Sequence, residues 1–419
     1  MKDFFTNKTA LILGLGLEGK STLALLRDLP CKIVVADKNP DAVKGLNFKA
    51  YTGENYLDAL HDSEVDVIMK SPGISFKGLE IPANIKAKIT SQTDLLLRFS
   101  QNKIVGITGT KGKSTVSSLI HHVLNYCGKE SALIGNIGVP PLAKQFAPET
   151  ILVCEMSCHQ LEYLQASPNI AVFLNLYEEH LDHYNSFADY RAAKENIYLY
   201  QKESDLLIFL DELDSHKLRS SKGEKLPLSY EQTKTYNSRL PGKHNQYNIR
   251  VAMEVCARFG CDKKDAISAL ESFNGLPHRL EFVDAINGAE YVNDSISTIP
   301  RAAILAVEAY PDTDTLIIGG MDRGICYAEL TDFLDKSKKC GIMNMIALPD
   351  SGYKIAETLK SGRINIYRAK NMEDAVQYAV RVTKRRCILS PAAASYNTYK
   401  NFEERGEHFK ALVKSAETK

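Results

Sequence analysis

The chain has 419 residues, 52 Lys and Arg against 51 Asp and Glu, and 44% apolar side chains, a composition that excludes a disordered polypeptide. At about 150 residues per domain the length predicts two or three domains, of which three are expected, since a single hydrophobic core stops growing beyond roughly 250 to 300 residues. A formal net charge of +1 offers no broad face to nucleic acid or an anionic membrane, so an anionic ligand has to be met by a local site.

The N-terminus, MKDFFTNKTALILG, runs straight into a strand pattern without a secretory apolar segment, and no apolar run approaches the roughly 18 residues of a membrane span. A cytoplasmic chain is expected. The nine cysteines contain no CxxC pair and are expected to be reduced and mostly buried. A strand over 10–14 enters a glycine turn, a second over 32–36 ends at Asp37, and a third over 65–69 precedes Ser71-Pro72-Gly73. After a polar stretch at 100–103 an apolar restart at 104–107 marks a boundary near residue 99, followed by a helix over 114–126. Buried strands are predicted over 151–154, 171–174 and 206–210, peripheral hairpins or loop over 215–234, and helix over 248–270 with a turn near Gly260. Beyond Phe273-Asn-Gly-Leu-Pro277 a third restart gives strands over 289–292, 315–318, 342–347 and 386–389. Strand and helix alternation throughout predicts an α/β chain of parallel sheets, divided into 1–98, 99–275 and 276–419.

Two segments have the form of phosphate-binding loops. Gly14-Leu15-Gly16-Leu17-Glu18-Gly19-Lys20-Ser21 satisfies both GxGxxG and GxxxxGK[ST], and Asp37 stands where a dinucleotide-type fold places an acceptor for a ribose or similar hydroxyl. The second, Thr108-Gly109-Thr110-Lys111-Gly112-Lys113-Ser114, has Ile107 at the position of the first glycine. Its chemistry is nevertheless complete. Glycines let main-chain N–H groups turn toward phosphate, Lys113 can neutralise β/γ oxygens, Ser114 can hold magnesium, and the following helix directs its N-terminus at the anion. Downstream, a strand ends in Glu155, where a metal-binding acid is expected.

Further blocks follow in order: TGTKGKST at 108–115, GNIG at 135–138, EMSCHQLE at 155–162, NLYEEHLDHY at 175–184, YRAAKENIY at 190–198, GKHNQYN at 242–248, LPHR at 276–279, NDS at 293–295, GGMDRG at 319–324 and SPAAASYNTYKNFEERG at 390–406. On these blocks the chain resembles, over nearly its whole length, the Mur ligases, ATP-dependent amino-acid-adding enzymes of peptidoglycan synthesis. Within them it is most similar to the branch that adds D-glutamate to UDP-N-acetylmuramoyl-L-alanine.

The resemblance implies an N-terminal Rossmann-like domain for the UDP-sugar, a central P-loop ATPase-type domain and a C-terminal Rossmann-like domain for the incoming amino acid. The first loop (Gly14, Leu15, Gly16, Leu17, Glu18, Gly19) with Asp37, Ser71, Pro72 and Gly73 then contacts the UDP-sugar, and no NAD is required. Gly109, Thr110, Lys111, Gly112, Lys113, Ser114 and Thr115 hold ATP, joined by Asn245, Asn248, Arg279 and Asp294. Of two Mg2+ ions, the first is implied at Ser114 and Glu155 and the second near His180. Lys194 matches a lysine that carbon dioxide converts to a carbamate, an anionic metal ligand. Lys113, His180 and Lys194 are thus the implied catalytic residues. Asn136, Ser157 and Gln160 line the reacting carboxylate, and Thr298, Arg323, Ser395 and Phe402 match the glutamate contacts. A monomer is expected.

The chain departs from the family pattern at Ile296, where a lysine is usual, and at Ile299, His159 and Glu179. Ile296 cannot supply a cation, and it resembles variant ligases that take L-glutamate. His180 and His183, with Asp182 between, could be read as a zinc pair, but no third ligand stands out. A dinucleotide-dependent oxidoreductase built on 14–19 and Asp37 leaves the central blocks unexplained.

Overall fold

The computed structural model describes residues 1–177, 180, 183–213, 218–231, 235–240, 242–337, 340–360 and 362–416. They form two compact units, Met1–Asn237 with Lys243–Leu270, and Ser238–Gly242 with Glu271–Lys419. The first unit holds two sheets. One contains β1 (Thr9–Leu13), β2 (Lys32–Asp37), β3 (Lys49–Thr52), β4 (Val67–Lys70) and β5 (Ile89–Thr90), all parallel, in the order β3-β2-β1-β4-β5. The other contains β6 (Ile104–Thr108), β7 (Ser131–Gly135), β8 (Ile151–Glu155), β9 (Ile170–Phe173), β10 (Leu206–Leu210) and β11 (Glu224–Leu228), again all parallel, in the order β11-β10-β9-β6-β8-β7.

Both orders reverse beside the strand that feeds a glycine loop, at β1/β4 and at β6/β8. Such reversals open crevices at the carboxyl ends of the strands, where ligands of α/β folds bind. The strands β1, β6, β8 and β10 are buried at every position, as expected when helices cover both faces. The helix Lys113–Tyr126 buries Val116, Leu119, Ile120 and Val123, a stripe at helical spacing.

The second unit carries β12 (Glu281–Ile286), β13 (Ala289–Asn293), β14 (Thr315–Gly320), β15 (Asn344–Asp350), β16 (Asn365–Arg368) and β17 (Arg386–Leu389), ordered β12-β13-β17-β14-β15-β16. Only the β12/β13 pair is antiparallel. Its turn is Asn287-Gly288, both at positive φ (52° and 80°), the backbone of a tight hairpin that matches strand twist.

The expectation of hairpins or loop over 215–234 is corrected in part. Residues 224–228 form β11, a parallel edge strand, while 214–217 and 232–234 lie outside the described residues. Two charges and Pro227 disguised it, and an edge position tolerates both. Among the described residues no helix is long and apolar enough to cross a membrane. All nine cysteines are free thiols, five of them buried.

The two sheets of the first unit are tied through Asp94, in the helix Gln92–Phe99. Its buried carboxylate accepts from Thr90 Oγ1 (2.8 Å), Arg98 (3.2 Å) and the main-chain N–H of Gln165 (2.7 Å). Asp94→Ala leaves these donors without their acceptor and is expected to cost about 3 kcal/mol, read as a lower urea midpoint at unchanged slope. A midpoint equal to the parent's would remove Asp94 as the tie.

Candidate active site

β6 ends at Thr108, whose hydroxyl donates to Met156 O at 2.9 Å. The loop that follows requires its glycines. A Cβ on Gly109 would stand 2.9 Å from Leu174 Cβ, and Gly112 has φ +87° at the entrance to the helix, a conformation that strains other residues. Asn175 closes the loop: its Oδ1 accepts Lys111 N–H (2.8 Å), its Nδ2 donates to Lys111 O (3.0 Å), and its carbonyl accepts Thr110 N–H (3.0 Å). Ser114 and Thr115 lie in the first turn of the helix. Lys113 Nζ donates to Gly109 O at 2.9 Å and to Thr110 O at 3.1 Å. Lys194, 1% exposed in the helix Phe187–Leu199, donates to the same Gly109 O at 2.8 Å. From that helix Tyr190 places its hydroxyl 3.0 Å from Thr110 Oγ1.

Glu155 sits beside this loop because β6 and β8 pair Ile107 with Glu155. Its Oε1 accepts Asn136 Nδ2 at 2.8 Å, and its Oε2 is buried with no partner. An orphaned carboxylate oxygen next to a phosphate-type loop fits a hard cation such as magnesium. His180, at φ 59°, has its ring centroid 5.0 Å from His159 and 6.0 Å from Tyr190, on the Lys194 side of the loop. Glu179 and Asp182 lie outside the described residues. Among those described, no three His, Cys, Asp or Glu side chains gather to hold a metal ion. Asn245 and Asn248 are buried inside the helix Lys243–Arg258, joined by Asn248 Nδ2 to Asn245 Oδ1 at 3.0 Å. Asn248 Oδ1 lies 3.1 Å from the Cβ position of Gly112, so Asn248 packs on the loop.

The first loop is held from below by two side chains. Asp37 accepts Leu15 N–H at 2.6 Å and Asn39 N–H at 2.8 Å, and Ser71 Oγ donates to Gly14 O at 2.7 Å. A Cβ on Gly19 would lie 1.8 Å from Gly14 O. Pro72 and Gly73 form the turn after Ser71, Gly16 precedes the helix Leu17–Arg27, and Leu17 is 81% exposed. Glu18 turns inward, where burial pushes its carboxyl up to about 7 against the opposing pull of Gln160 and Lys70. Gln160 Nε2 reaches Glu18 Oε2 at 3.4 Å. Ser157 and Gln160 also form a reciprocal capping box. Hence both residues have a structural role alongside any contact with a substrate.

Between the two loops lies a buried ionic chain. Glu162 takes Lys70 Nζ on Oε2 (2.8 Å) and His183 Nε2 on Oε1 (2.6 Å). Burial opposes ionisation of Glu162, but His183 and Lys70 outweigh it and hold the carboxyl below its ordinary range. His159 is pushed down to about 4, first by burial and then by His183.

In the second unit, Asp294 is buried, with Oδ2 accepting Ser390 Oγ (2.8 Å) and Oδ1 accepting Leu280 N–H (3.2 Å). Burial raises its carboxyl to about 6. Arg279 is exposed between His278 and Leu280, both at positive φ. Phe402 meets the His278 ring edge-on at 6.1 Å, and its carbonyl accepts Ser295 Oγ at 2.8 Å. Ser395 is buried, Thr298 half-buried and Arg323 exposed. Arg405 is buried and donates to Ser295 Oγ, Ser295 O, Ala393 O and Ala394 O.

Residues 107–234 match the Mur ligase middle domain family. A UDP-N-acetylmuramoylalanine–D-glutamate ligase of Acetivibrio thermocellus is 31% identical over 468 residues, covering 99% of this chain and 98% of the relative. The chain belongs to the Mur ligase family. An enzyme of the same name from Aquifex aeolicus is 32% identical, covering 96% of this chain and 98% of the relative. Among solved structures, the MurF ligase of Thermotoga maritima in complex with ADP has a TM-score of 0.53 at 17% identity, covering 99% and 97% of the two chains. MurC of the same organism has a TM-score of 0.55 at 18% identity, covering 98% and 99%. These are likenesses of fold.

In this Mur ligase the structure gathers 109–115, Glu155, His180, Lys194, Asn136, Asn245 and Asn248 in the first unit, and Asp294, Arg279, Ser395 and Phe402 in the second. Sequence reasoning missed Asn175, Tyr190, Glu162, Lys70 and Arg405. Four of these stand inside the quoted blocks, and Lys70, a cation closing a buried apolar strand, carried its own signal.

Glu18 generates a pH prediction. Its carboxyl ionises at an ordinary 4.5 when unfolded and at about 7 when folded, so the native state binds more protons between these values and loses stability as pH rises through them. Glu18→Gln is expected to flatten that decline, with an unfolding midpoint above the parent's at about pH 8 but not at about pH 4. Parallel profiles for the two proteins would refute the assignment.

Proposed function

We propose that the chain is an ATP-dependent ligase joining D-glutamate to UDP-N-acetylmuramoyl-L-alanine in peptidoglycan precursor synthesis, as a cytoplasmic monomer with domains 1–98, 99–275 and 276–419. The observation that carries this reading is a glycine loop of phosphate-binding form that follows β6, the strand paired with Glu155, whose Oε2 is buried and unpartnered.

A carboxylate is a poor acyl donor in water. In the reading, an oxygen of the substrate carboxylate attacks the γ-phosphorus of ATP in line, ADP leaves, and an acyl phosphate results. The glutamate amine then attacks the acyl carbon, and the tetrahedral intermediate expels phosphate as the amine loses its proton. Every step concentrates negative charge. The N–H groups of 109–115 and the Lys113 ammonium meet the phosphate oxygens. Magnesium, held by Glu155 and Ser114 with a second ion at His180 and carbamylated Lys194, supplies charge neutralisation when bound. Asn136 keeps one oxygen of Glu155 engaged and leaves the other unpartnered. Asn245, Asn248, Arg279 and Asp294 serve the nucleotide, Gly14 to Gly19 with Asp37 and Ser71 to Gly73 serve the UDP-sugar, Asn136, Ser157 and Gln160 serve its carboxylate, and Thr298, Arg323, Ser395 and Phe402 serve glutamate.

A second reading keeps this chemistry with L-glutamate, favoured by half-buried Ile296 in place of the family lysine. Phosphate release is expected only with ATP, Mg2+, UDP-N-acetylmuramoyl-L-alanine and glutamate together, and faster with D-glutamate. Lys113→Ala is expected to slow it at least ~100-fold. Release without the UDP-sugar, or NADH oxidation in its place, would defeat the ligase reading, and a preference for L-glutamate would select the second. Lys194→Ala is expected to regain part of its activity with formate or acetate; no rescue at any concentration would argue against a carbamate.

A further inference from the structure

Arg279 stands on a turn whose backbone is unfavourable on both sides of it. His278 and Leu280 have φ of 61° and 46°, left-handed angles that strain a residue carrying a side chain and persist only where the surroundings fix them. Here the surroundings do so through hydrogen bonds to the main chain. Arg279 N–H donates to Leu276 O (3.2 Å), Leu280 N–H to Asp294 Oδ1 (3.2 Å), Ile296 N–H to His278 O (3.1 Å) and His278 N–H to Glu281 Oε2 (2.8 Å). The shortest of these comes from a carboxylate that follows the turn directly.

Glu281 is engaged at both oxygens. Its Oε2 also accepts Asn293 Nδ2 at 3.0 Å, and its Oε1 accepts Lys410 Nζ at 2.9 Å. The buried Asn293 amide has its orientation fixed, because its Oδ1 accepts Ser295 N–H at 3.1 Å, and its Nδ2 lies 3.0 Å from His278 Nδ1. An amide nitrogen only donates, so His278 accepts at Nδ1 and carries its proton on Nε2, 3.5 Å from Glu407 Oε1. The ring has room there because residue 406, inside the helix Phe402–Ala416, is glycine. A Cβ at Gly406 would stand 2.2 Å from His278 Nδ1. Glycine in a helix interior is disfavoured against alanine, and here its missing side chain is what admits the ring.

We propose that Glu281 is a positioning residue for Arg279, acting through the main chain of His278, and that Gly406 completes the device by admitting the His278 ring. The inference rests on the ligase reading, in which Arg279 serves the nucleotide. Glu281 itself meets no substrate, since its oxygens are taken up by His278, Asn293 and Lys410. A carboxylate suits the task better than an amide, which has one acceptor oxygen and would turn its NH2 group toward the Lys410 ammonium. With the turn already fixed, Arg279 can meet an anion without first ordering its own backbone, so less of the binding free energy is lost to ordering.

The test is a double-mutant cycle in the full-length protein, reading the Kd for ATP with Mg2+ by equilibrium dialysis, with urea midpoints to show that each variant is folded. Arg279→Ala is expected to weaken ATP about 30-fold, Glu281→Ala about tenfold and Glu281→Gln about threefold. Arg279→Ala combined with Glu281→Ala is expected to stay within about twofold of Arg279→Ala alone, because a residue that acts only through Arg279 then has nothing left to position. Gly406→Ala is expected to follow Glu281→Ala, with the KM for glutamate unchanged in both. Should Glu281→Ala not fold, Glu281→Gln closes the same cycle. Losses that multiply in the double variant, or ATP binding at the parent's level in a folded Glu281→Ala or Glu281→Gln, would overturn the proposal. A parent that binds ATP yet releases no phosphate with its substrates would instead defeat the ligase reading, and the cycle would still decide the role of Glu281.

Discussion

Two ammonium groups share one carbonyl oxygen. Lys113 and Lys194 both donate to Gly109 O, so the two helices that carry them converge on one carbonyl of the loop. The loop around them is rigidly held. Gly109 and Gly112 take backbone angles that turn N–H groups inward, and Asn175 locks the loop by three hydrogen bonds. An acid, Glu155, stands one strand away with an oxygen unspent. The rest of the first unit follows from holding these groups still.

That holding is done largely by the neighbouring sheet. Lys70, at the end of β4, binds Glu162, and Glu162 binds His183 on the segment that also carries His180. Ser75 Oγ donates to His183 O at 3.1 Å, and Gly78 N–H to Asn185 Oδ1 at 3.3 Å. The turn after Ser71 and the segment around His180 are therefore joined by one buried ionic chain and two hydrogen bonds. Removing either partner of a buried carboxylate is costly, so this chain holds the turn after Ser71 and the segment at His183 in a fixed relation. Glu18 adds a second link through Gln160.

Much of this was legible in sequence because parallel strands buried on both faces appear as uninterrupted apolar runs, as 104–107 and 206–210 do. What escaped were elements whose residues do not announce burial. β11 reads as a charged, proline-containing loop because an edge strand needs no alternation. The short β5 and the partly exposed β3 and β16 lack an apolar run altogether. Lys194 was legible only through its place in a family block, since a lysine in a helix is ordinarily solvated. Its burial depends on Gly109 O, contributed by a segment distant in sequence, and no local pattern encodes such a contact. Asp37 and Gln160 were legible as polar positions, but their main-chain partners were not.

In the proposed reading, selectivity in the second unit would rest on which cations remain for a substrate carboxylate. Arg405 is the largest fully buried side chain there, yet its guanidinium is committed to Ser295 and to the carbonyls of Ala393 and Ala394. It shapes the turn that carries Ser395 and cannot also clamp a ligand. Ile296 replaces a cation with an aliphatic side chain, and its N–H is tied to His278 O at 3.1 Å, so the main chain around it is fixed by the strained turn that presents Arg279. Exposed Arg323, after β14, then becomes the principal candidate for a bidentate carboxylate contact. A near-neutral chain can thus serve strongly anionic substrates, because its charges are placed where they are needed and neutralised elsewhere.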